Sequence, residues 1–258
     1  MDSSKRSIQL MVMFAALCSL AELRANADEI LVSAAASLTD ALSEIGQAYT
    51  RVNPRTTVRF NFAASGALQR QIEQGAPVDV FVSASPKEMD ALQKAGRIDL
   101  PTRSDVCGNR LVLIVSKGSR LRRWEDLLSP SVKRIALADP DSVPAGRYAK
   151  ETLTRRGLWD QLKSRFVFGE NVRQTLTYVA TGDADAGVVF ETDARLQPSK
   201  VRVVQAAIPG RDHIPILYPA AALKGAPNGT QAKRFVQFLK GSVAQRIFAK
   251  FGFSSVGR

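Results

Sequence analysis

Apolar positions along this chain follow two rhythms that keep replacing one another. Ile30, Leu31 and Val32 are consecutive and apolar, as in a buried strand, whereas Leu38, Leu42 and Ile45 recur at helical spacing. The change falls within Ala34-Ala35-Ala36-Ser37, and Ser37 is expected to cap the helix that follows, serine being a favoured N-cap. Thr57 to Phe62 then alternates as a strand, and Ala64-Ser65-Gly66-Ala67-Leu68 opens a helix through about Gln74. Gly75-Ala76-Pro77 breaks that helix, and Val78 to Val82 reads as another buried strand. Ser85-Pro86 starts the next helix, with Met89, Leu92 and Ala95 on its apolar face, because proline suits the first helical position.

The alternation restarts after Cys107. Leu111 to Val115 is an apolar run ended by Lys117-Gly118, and Ile135 to Ala138 is a further strand. Asp139-Pro140-Asp141-Ser142-Val143-Pro144 is a turn-rich loop that leads into a helix from Ala145 to about Arg156. Phe166 to Phe168, Val172 to about Thr181 and Gly187 to Phe190 read as strand, helix and strand. Ile214-Pro215-Ile216-Leu217-Tyr218-Pro219 is a strand with proline interruptions, suited to an edge or a crossover. Two helices close the chain, Gln231 to Leu239 and Ser242 to Phe251.

Such alternation predicts an α/β protein with mostly parallel sheets flanked by helices. Two lobes are expected: lobe I from residues 28–107 plus 219–258, and lobe II from 108–218. A single larger doubly wound domain fits the same alternation. Two crossovers would make a hinge, and ligand sites favour such interfaces.

Met1 to Ala27 is expected to be an export signal, since Lys5 and Arg6 precede an apolar stretch and Ala25-Asn26-Ala27 supplies a small-x-small cleavage site. The chain from Asp28 onward holds one cysteine, Cys107, which excludes an internal disulfide and a cysteine-based zinc site; a buried, inert thiol is expected. The formal charge of +12 over 258 residues favours anionic partners. The basic residues are scattered, with Arg120, Arg122 and Arg123 the densest group, and no aromatic-rich basic ribbon accompanies them. Nucleic acid is therefore not an expected partner.

In four places a strand or loop delivers small residues into a helix start: Ala36-Ser37-Leu38, Ala64-Ser65-Gly66, Pro144-Ala145-Gly146 and Glu170-Asn171-Val172. First-turn amides lack intrahelical partners, so together these starts offer amides and two hydroxyls, a neutral donor set suited to a dianion. Catalytic readings have less support. The only histidine, His213, sits in an expected surface loop, and no G-x-S-x-G run makes a nucleophile elbow. Asp183 and Asp185 lack the later carboxylates of a calcium loop, and Gly66, Gly146 and Gly157 form no G-x-G-x-x-G array. Asn228-Gly229-Thr230 reads as a plain turn, and Asp79 as a structural carboxylate bonded to amides at the pocket floor.

The runs A-A-A-S-L-T-D-A-L (34–42), A-S-G-A-L-Q-R-Q-I-E-Q-G-A-P-V-D-V-F-V-S-A (64–84), D-P-D-S-V-P-A-G-R-Y-A-K-E-T-L (139–153), N-V-R-Q-T-L (171–176) and D-A-G-V-V-F-E-T-D-A (185–194) resemble the periplasmic molybdate-binding proteins of ABC transporters. F-L-K-G-S-V-A-Q-R-I-F-A-K-F-G-F (238–253) is similar as well. The resemblance implies a type II periplasmic-binding fold whose two lobes hold an oxyanion through uncharged groups. It implies as ligands Ser37 and Ser65, through hydroxyl and amide, with the backbone amides of Ala145 and Val172. The family's tyrosine in G-x-V-Y is Phe190 here, and losing that hydroxyl is expected to weaken binding by about 1–3 kcal/mol. The function implied is a monomeric periplasmic binding component that delivers molybdate, and tungstate with it, to a membrane permease, with no cofactor and no catalytic step. The change at Phe190 keeps a second reading open, a protein of the same class for sulfate or an organic anion.

Overall fold

The computed structural model describes residues 28–256; the expected export signal and its cleavage after Ala27 lie outside the described residues. The strands are β1 (Asp28–Ala35), β2 (Thr56–Ala63), β3 (Val80–Val82), β4 (Ser104–Asn109), β5 (Leu111–Ser116), β6 (Ile135–Ala138), β7 (Phe166–Gly169), β8 (Ala186–Phe190), β9 (Val201–Ala206) and β10 (Ile216–Ala222). The α-helices are α1 (Thr39–Val52), α2 (Ser65–Glu73), α3 (Pro86–Lys94), α4 (Pro144–Arg155), α5 (Trp159–Leu162), α6 (Val172–Thr181), α7 (Glu191–Ala194), α8 (Gly229–Lys240) and α9 (Ser242–Lys250).

They build two five-stranded sheets, β2-β1-β3-β10-β4 and β7-β6-β8-β5-β9. In the first, β1 runs parallel to β2 and β3, while β10 is antiparallel to both β3 and β4. The second repeats this pattern, with β5 reversed between β8 and β9. Each sheet is thus mostly parallel, as the alternation predicts, with one reversed strand next to an edge. That strand is in each case the one by which the chain arrives from the other sheet. Arg110 alone separates β4 from β5, and the return runs from the end of β9 to the start of β10.

The expected elements form close to their expected bounds, and the differences have physical causes. β10 is a crossover strand but lies inside its sheet, where Pro219 is accommodated because the register with β4 shifts between Tyr218 and Pro219. β9, Val-Arg-Val-Val-Gln-Ala, is half-exposed and lacks the apolar run that marks the other strands. α5 is a single turn, too short to show periodicity.

Both faces of the first sheet are covered, as consecutive strand residues require. Val80 and Val82 pack with Ile45, Tyr49, Phe235 and Phe248 from α1, α8 and α9, whereas Phe81 packs with Leu68, Ile72, Met89 and Leu92 from α2 and α3. Ala220 and Ala222 divide from Ala221 in the same way on β10. The C-terminal helices therefore belong with the first sheet. Cys107 is buried and free.

Gly146, in the first turn of α4, fixes how that helix meets its sheet. A Cβ there would lie 2.1 Å from the Ala138 carbonyl oxygen at the end of β6. Gly146→Ala is accordingly expected to destabilise the protein by about 1–3 kcal/mol, the usual range for forcing atoms into a packed site. Thermal denaturation of the variant checks this as a lowered melting temperature.

Candidate solute-binding site

Helix starts from both sheets meet at one small cavity. Between β1 and α1 the chain makes a 3-10 turn, Ala36–Leu38, with Ser37 inside it. The cap positions of the turn and of α1 are Ala35 and Leu38, neither with a side-chain cap bond, so Ser37 does not cap the helix as its sequence context predicts. Its Oγ instead lies 3.1 Å from the Tyr218 hydroxyl. Ser65 is the first residue of α2, and its Oγ accepts from the Ala84 amide at 3.1 Å. Since that oxygen already accepts, the Ser65 hydrogen is free to point elsewhere.

The second sheet contributes backbone donors. Pro144 opens α4 at a position where a missing N–H removes no helical bond, so the first amide of that helix is Ala145. Asn171 caps α6, its Oδ1 accepting from the Arg173 and Gln174 amides at 3.0 Å each. The amide left over in that turn is Val172. Among the described residues, neither the Ala145 nor the Val172 amide meets a backbone acceptor outside its own helix, and first-turn amides have none within it.

Ser37, Ser65, Ala145, Val172 and Phe190 all line this cavity, together with Ala35, Ala36, Ala63, Ala64, Ala84, Val143, Pro144 and Asn171. Its volume is about 10 Å³, room for a single water-sized body. No charged side chain is among the lining residues described. Phe190 is buried, with its ring edge-on to Tyr218 at 5.9 Å and to Tyr148 at 6.4 Å. A larger cleft of about 910 Å³ lies between α3 and α4, lined by long side chains such as Lys87, Lys94 and Lys150. It takes in the start of α3 alone, at Ser85 and Pro86, with no start from the second sheet facing it there, and the small cavity, where starts from both sheets meet, is the stronger candidate.

The walls of the cavity are held together across the two sheets. The Gly66 amide donates to the Ser142 carbonyl at 3.1 Å, and a Cβ on Gly66 would come within 2.5 Å of that oxygen. Arg147 on α4 meets Glu88 on α3 at 2.6 Å and Ser85 Oγ at 3.3 Å. Arg173, next to Val172, reaches Asp40 on α1 at 2.7 Å and the Ser37 carbonyl at 3.3 Å. Its Nε also lies 2.6 Å from the fully buried Asp193, but the pair is out of line for a hydrogen bond.

Several positions differ from expectation or escaped it. His213 is fully buried; its Nδ1 lies 2.5 Å from the Ile214 carbonyl and its ring packs edge-on against Tyr148 at 5.6 Å, so it is a core residue, not a surface one. Asp79 is structural, accepting from the Leu31 and Asn228 amides at 2.8 and 2.7 Å. It stands before β3, away from the cavity rather than at its floor. Tyr218 and Arg173 contact Ser37, and Asn109 stands behind Tyr218, without having been singled out. Tyr218 did carry a signal, as the one hydroxyl-bearing side chain in an apolar strand. Among the described residues no group of three or more His, Cys, Asp or Glu could hold a metal ion, and no helix is long and apolar enough to cross a membrane.

Two α/β lobes meeting at helix starts define a solute-binding protein, and the chain belongs to the family of bacterial extracellular solute-binding proteins, whose family model matches residues 30–254. Within it, the chain is 39% identical over 238 residues to the molybdate-binding protein ModA of Escherichia coli, covering 89% of this chain and 90% of that one. It is 37% identical over 234 residues to ModA of Haemophilus influenzae, with 88% and 90% covered. The solved structure of the Azotobacter vinelandii periplasmic molybdate-binding protein superposes with a TM-score of 0.79 at 24% identity, over 88% of this chain and all of that one, a likeness of fold.

Burial pushes the Asp193 carboxyl up from its ordinary 3.8 to about 6, against the lowering pull of Arg173. The folded carboxyl thus holds its proton more tightly than the unfolded one. Its contribution to stability is full below about pH 3.8 and is lost as pH rises through about 6. In Asp193→Asn that loss disappears, so the melting temperature of the variant relative to the parent is expected to be higher near pH 7.5 than near pH 5, measured by calorimetry at both.

Proposed function

We propose that this protein binds molybdate, and tungstate with it, in the cavity between its lobes and delivers it to the membrane permease of an ABC importer. The observation that carries the reading is the convergence of four helix starts, from both sheets, on one cavity without a charged lining residue. The ModA relatives supply the ligand's identity. In this reading the Ser37 and Ser65 hydroxyls and amides donate from lobe I, and the Ala145 and Val172 amides from lobe II. A tetrahedral dianion buried among neutral donors needs nearly all its oxygens met, which is what several helix starts aimed at one point provide. Sulfate, with shorter bonds to oxygen, would leave some of those hydrogen bonds stretched, and protonated phosphate would look for an acceptor that the lining does not offer.

The expected bounds, 28–107 plus 219–258 for lobe I and 108–218 for lobe II, cut through β4 and β10, which pair within the first sheet, so lobe I is taken as residues 28–109 plus 216–258 and lobe II as the stretch between them. The cavity lies between elements of both lobes, so the lobes part to admit the anion and close around it. Closure is favoured only because the bound anion bridges donors on both sides; the Arg147–Glu88 and Arg173–Asp40 pairs add to it. The protein acts outside the cytoplasm as a monomer, with no cofactor and no catalytic step. Phe190 supports a second reading, a pocket of the same class turned to sulfate or an organic anion.

Isothermal titration of residues 28–258 with molybdate, tungstate, sulfate and phosphate separates the two. Tight binding confined to the larger oxyanions is the expected result; binding of sulfate in preference would establish the second reading. Ser37→Ala combined with Ser65→Ala removes two hydrogen bonds to a charged group, about 1.5–3 kcal/mol each, and is expected to weaken molybdate binding at least about a hundredfold. Circular dichroism of the double variant should match the parent. Phe190→Tyr returns a donor to the cavity wall and is expected to tighten binding by about 1–3 kcal/mol in the same titration.

A further inference from the structure

We infer that Tyr218 and Asn109 are positioning residues that aim the Ser37 hydroxyl into the cavity as a donor; this rests on the oxyanion reading of that cavity. Tyr218 is fully buried on β10 and is not among the lining residues, yet its hydroxyl stands behind Ser37 with 3.1 Å between the oxygens. Either oxygen could donate across that gap. The choice is made one residue further back.

Asn109, at the end of β4, places its Nδ2 3.1 Å from the Tyr218 oxygen and 2.9 Å from Thr192 Oγ1, which occupies both amide hydrogens. Its Oδ1 accepts from the Arg110 amide at 2.8 Å, and this fixes which end of the side-chain amide faces Tyr218. The Tyr218 oxygen therefore accepts from Asn109, and its own hydrogen goes to Ser37. Ser37 Oγ, accepting from behind, has its hydrogen left for the cavity. Hydrogen bonds in such a chain polarise one another and strengthen the terminal donor. Burial holds the Tyr218 phenol well above its ordinary titration range, so the hydrogen stays in place at any working pH.

Ser65 reaches the same state by a shorter route, since the Ala84 backbone amide donates to its Oγ. Both serines are thus set as donors, one by backbone and one by a side-chain relay. The relay begins beside Arg110, the joint between the sheets. Phe190 packs edge-on against the Tyr218 ring and lends it no hydroxyl.

A four-protein cycle tests this: the parent chain, Tyr218→Phe, Ser37→Ala and the double variant, each titrated calorimetrically with molybdate. Tyr218→Phe keeps the ring and is expected to weaken binding about tenfold, the loss of one hydrogen bond that readies a donor. Added to Ser37→Ala, it is expected to cost almost nothing further. Unchanged affinity in Tyr218→Phe, or the same fold-loss in both backgrounds, would overturn the relay while leaving the site intact. If Tyr218→Phe does not fold, Asn109→Ala enters the cycle in its place with the same expectations. If the parent chain binds sulfate in place of molybdate, the same cycle is run with sulfate; a parent chain that binds neither would overturn the site reading and the relay together.

Discussion

A helix that begins in the interior carries amide hydrogens that its own turns cannot satisfy, and this protein brings several such beginnings to one point. The rest of the architecture serves that constraint. Small residues stand at three of the four starts, Ala36, Ala64, Ala145 and Gly146 among them, where larger side chains would keep the amides from converging. Gly146 lets α4 begin against the end of β6, and Gly66 lets α2 touch the loop that leads to α4. Cations stay one layer back. Arg147 and Arg173 each find a carboxylate across the cleft, so positive charge helps hold the walls together without standing in the cavity.

Much of this was legible in the chain. The runs Ile30–Val32, Leu111–Val115 and Ile135–Ala138 are apolar because strands covered on both faces meet no water, and each run formed a strand. Small residues ahead of three of the helices, and the capping Asn171 ahead of α6, marked where the starts would fall, and the five residues named from those junctions and from the family resemblance line a single cavity. Phe190 could be read as a departure from a family pattern, since a missing hydroxyl is visible in one letter.

What was not legible depends on long-range pairing. Nothing local says that Tyr218 will stand behind Ser37, 181 residues away in sequence. Ser37 itself looked like a cap because serine usually is one, but the 3-10 turn shifts the frame and frees its side chain for that partner. His213 looked exposed between Asp212 and Ile214, yet Asp212 is itself buried, taking an Arg156 guanidinium at 2.7 Å and the Ile208 amide at 2.8 Å. A charged neighbour was taken for solvent when it marked an ion pair in the interior. β9 escaped because an edge strand half in water needs no continuous apolar run.

The placement of the reversed strands sets an order of assembly. Every strand of the second sheet lies between Leu111 and Ala206, an unbroken length of chain. The first sheet is interrupted: β4 can join β3 only through β10, which arrives after the whole second sheet has been laid down. In a chain emerging from its N-terminus, every strand of the second sheet is therefore available before the first sheet can be completed, since that sheet has three strands on one side and one on the other until residues 216–222 appear. The lobe that begins the protein is the last that can close its sheet.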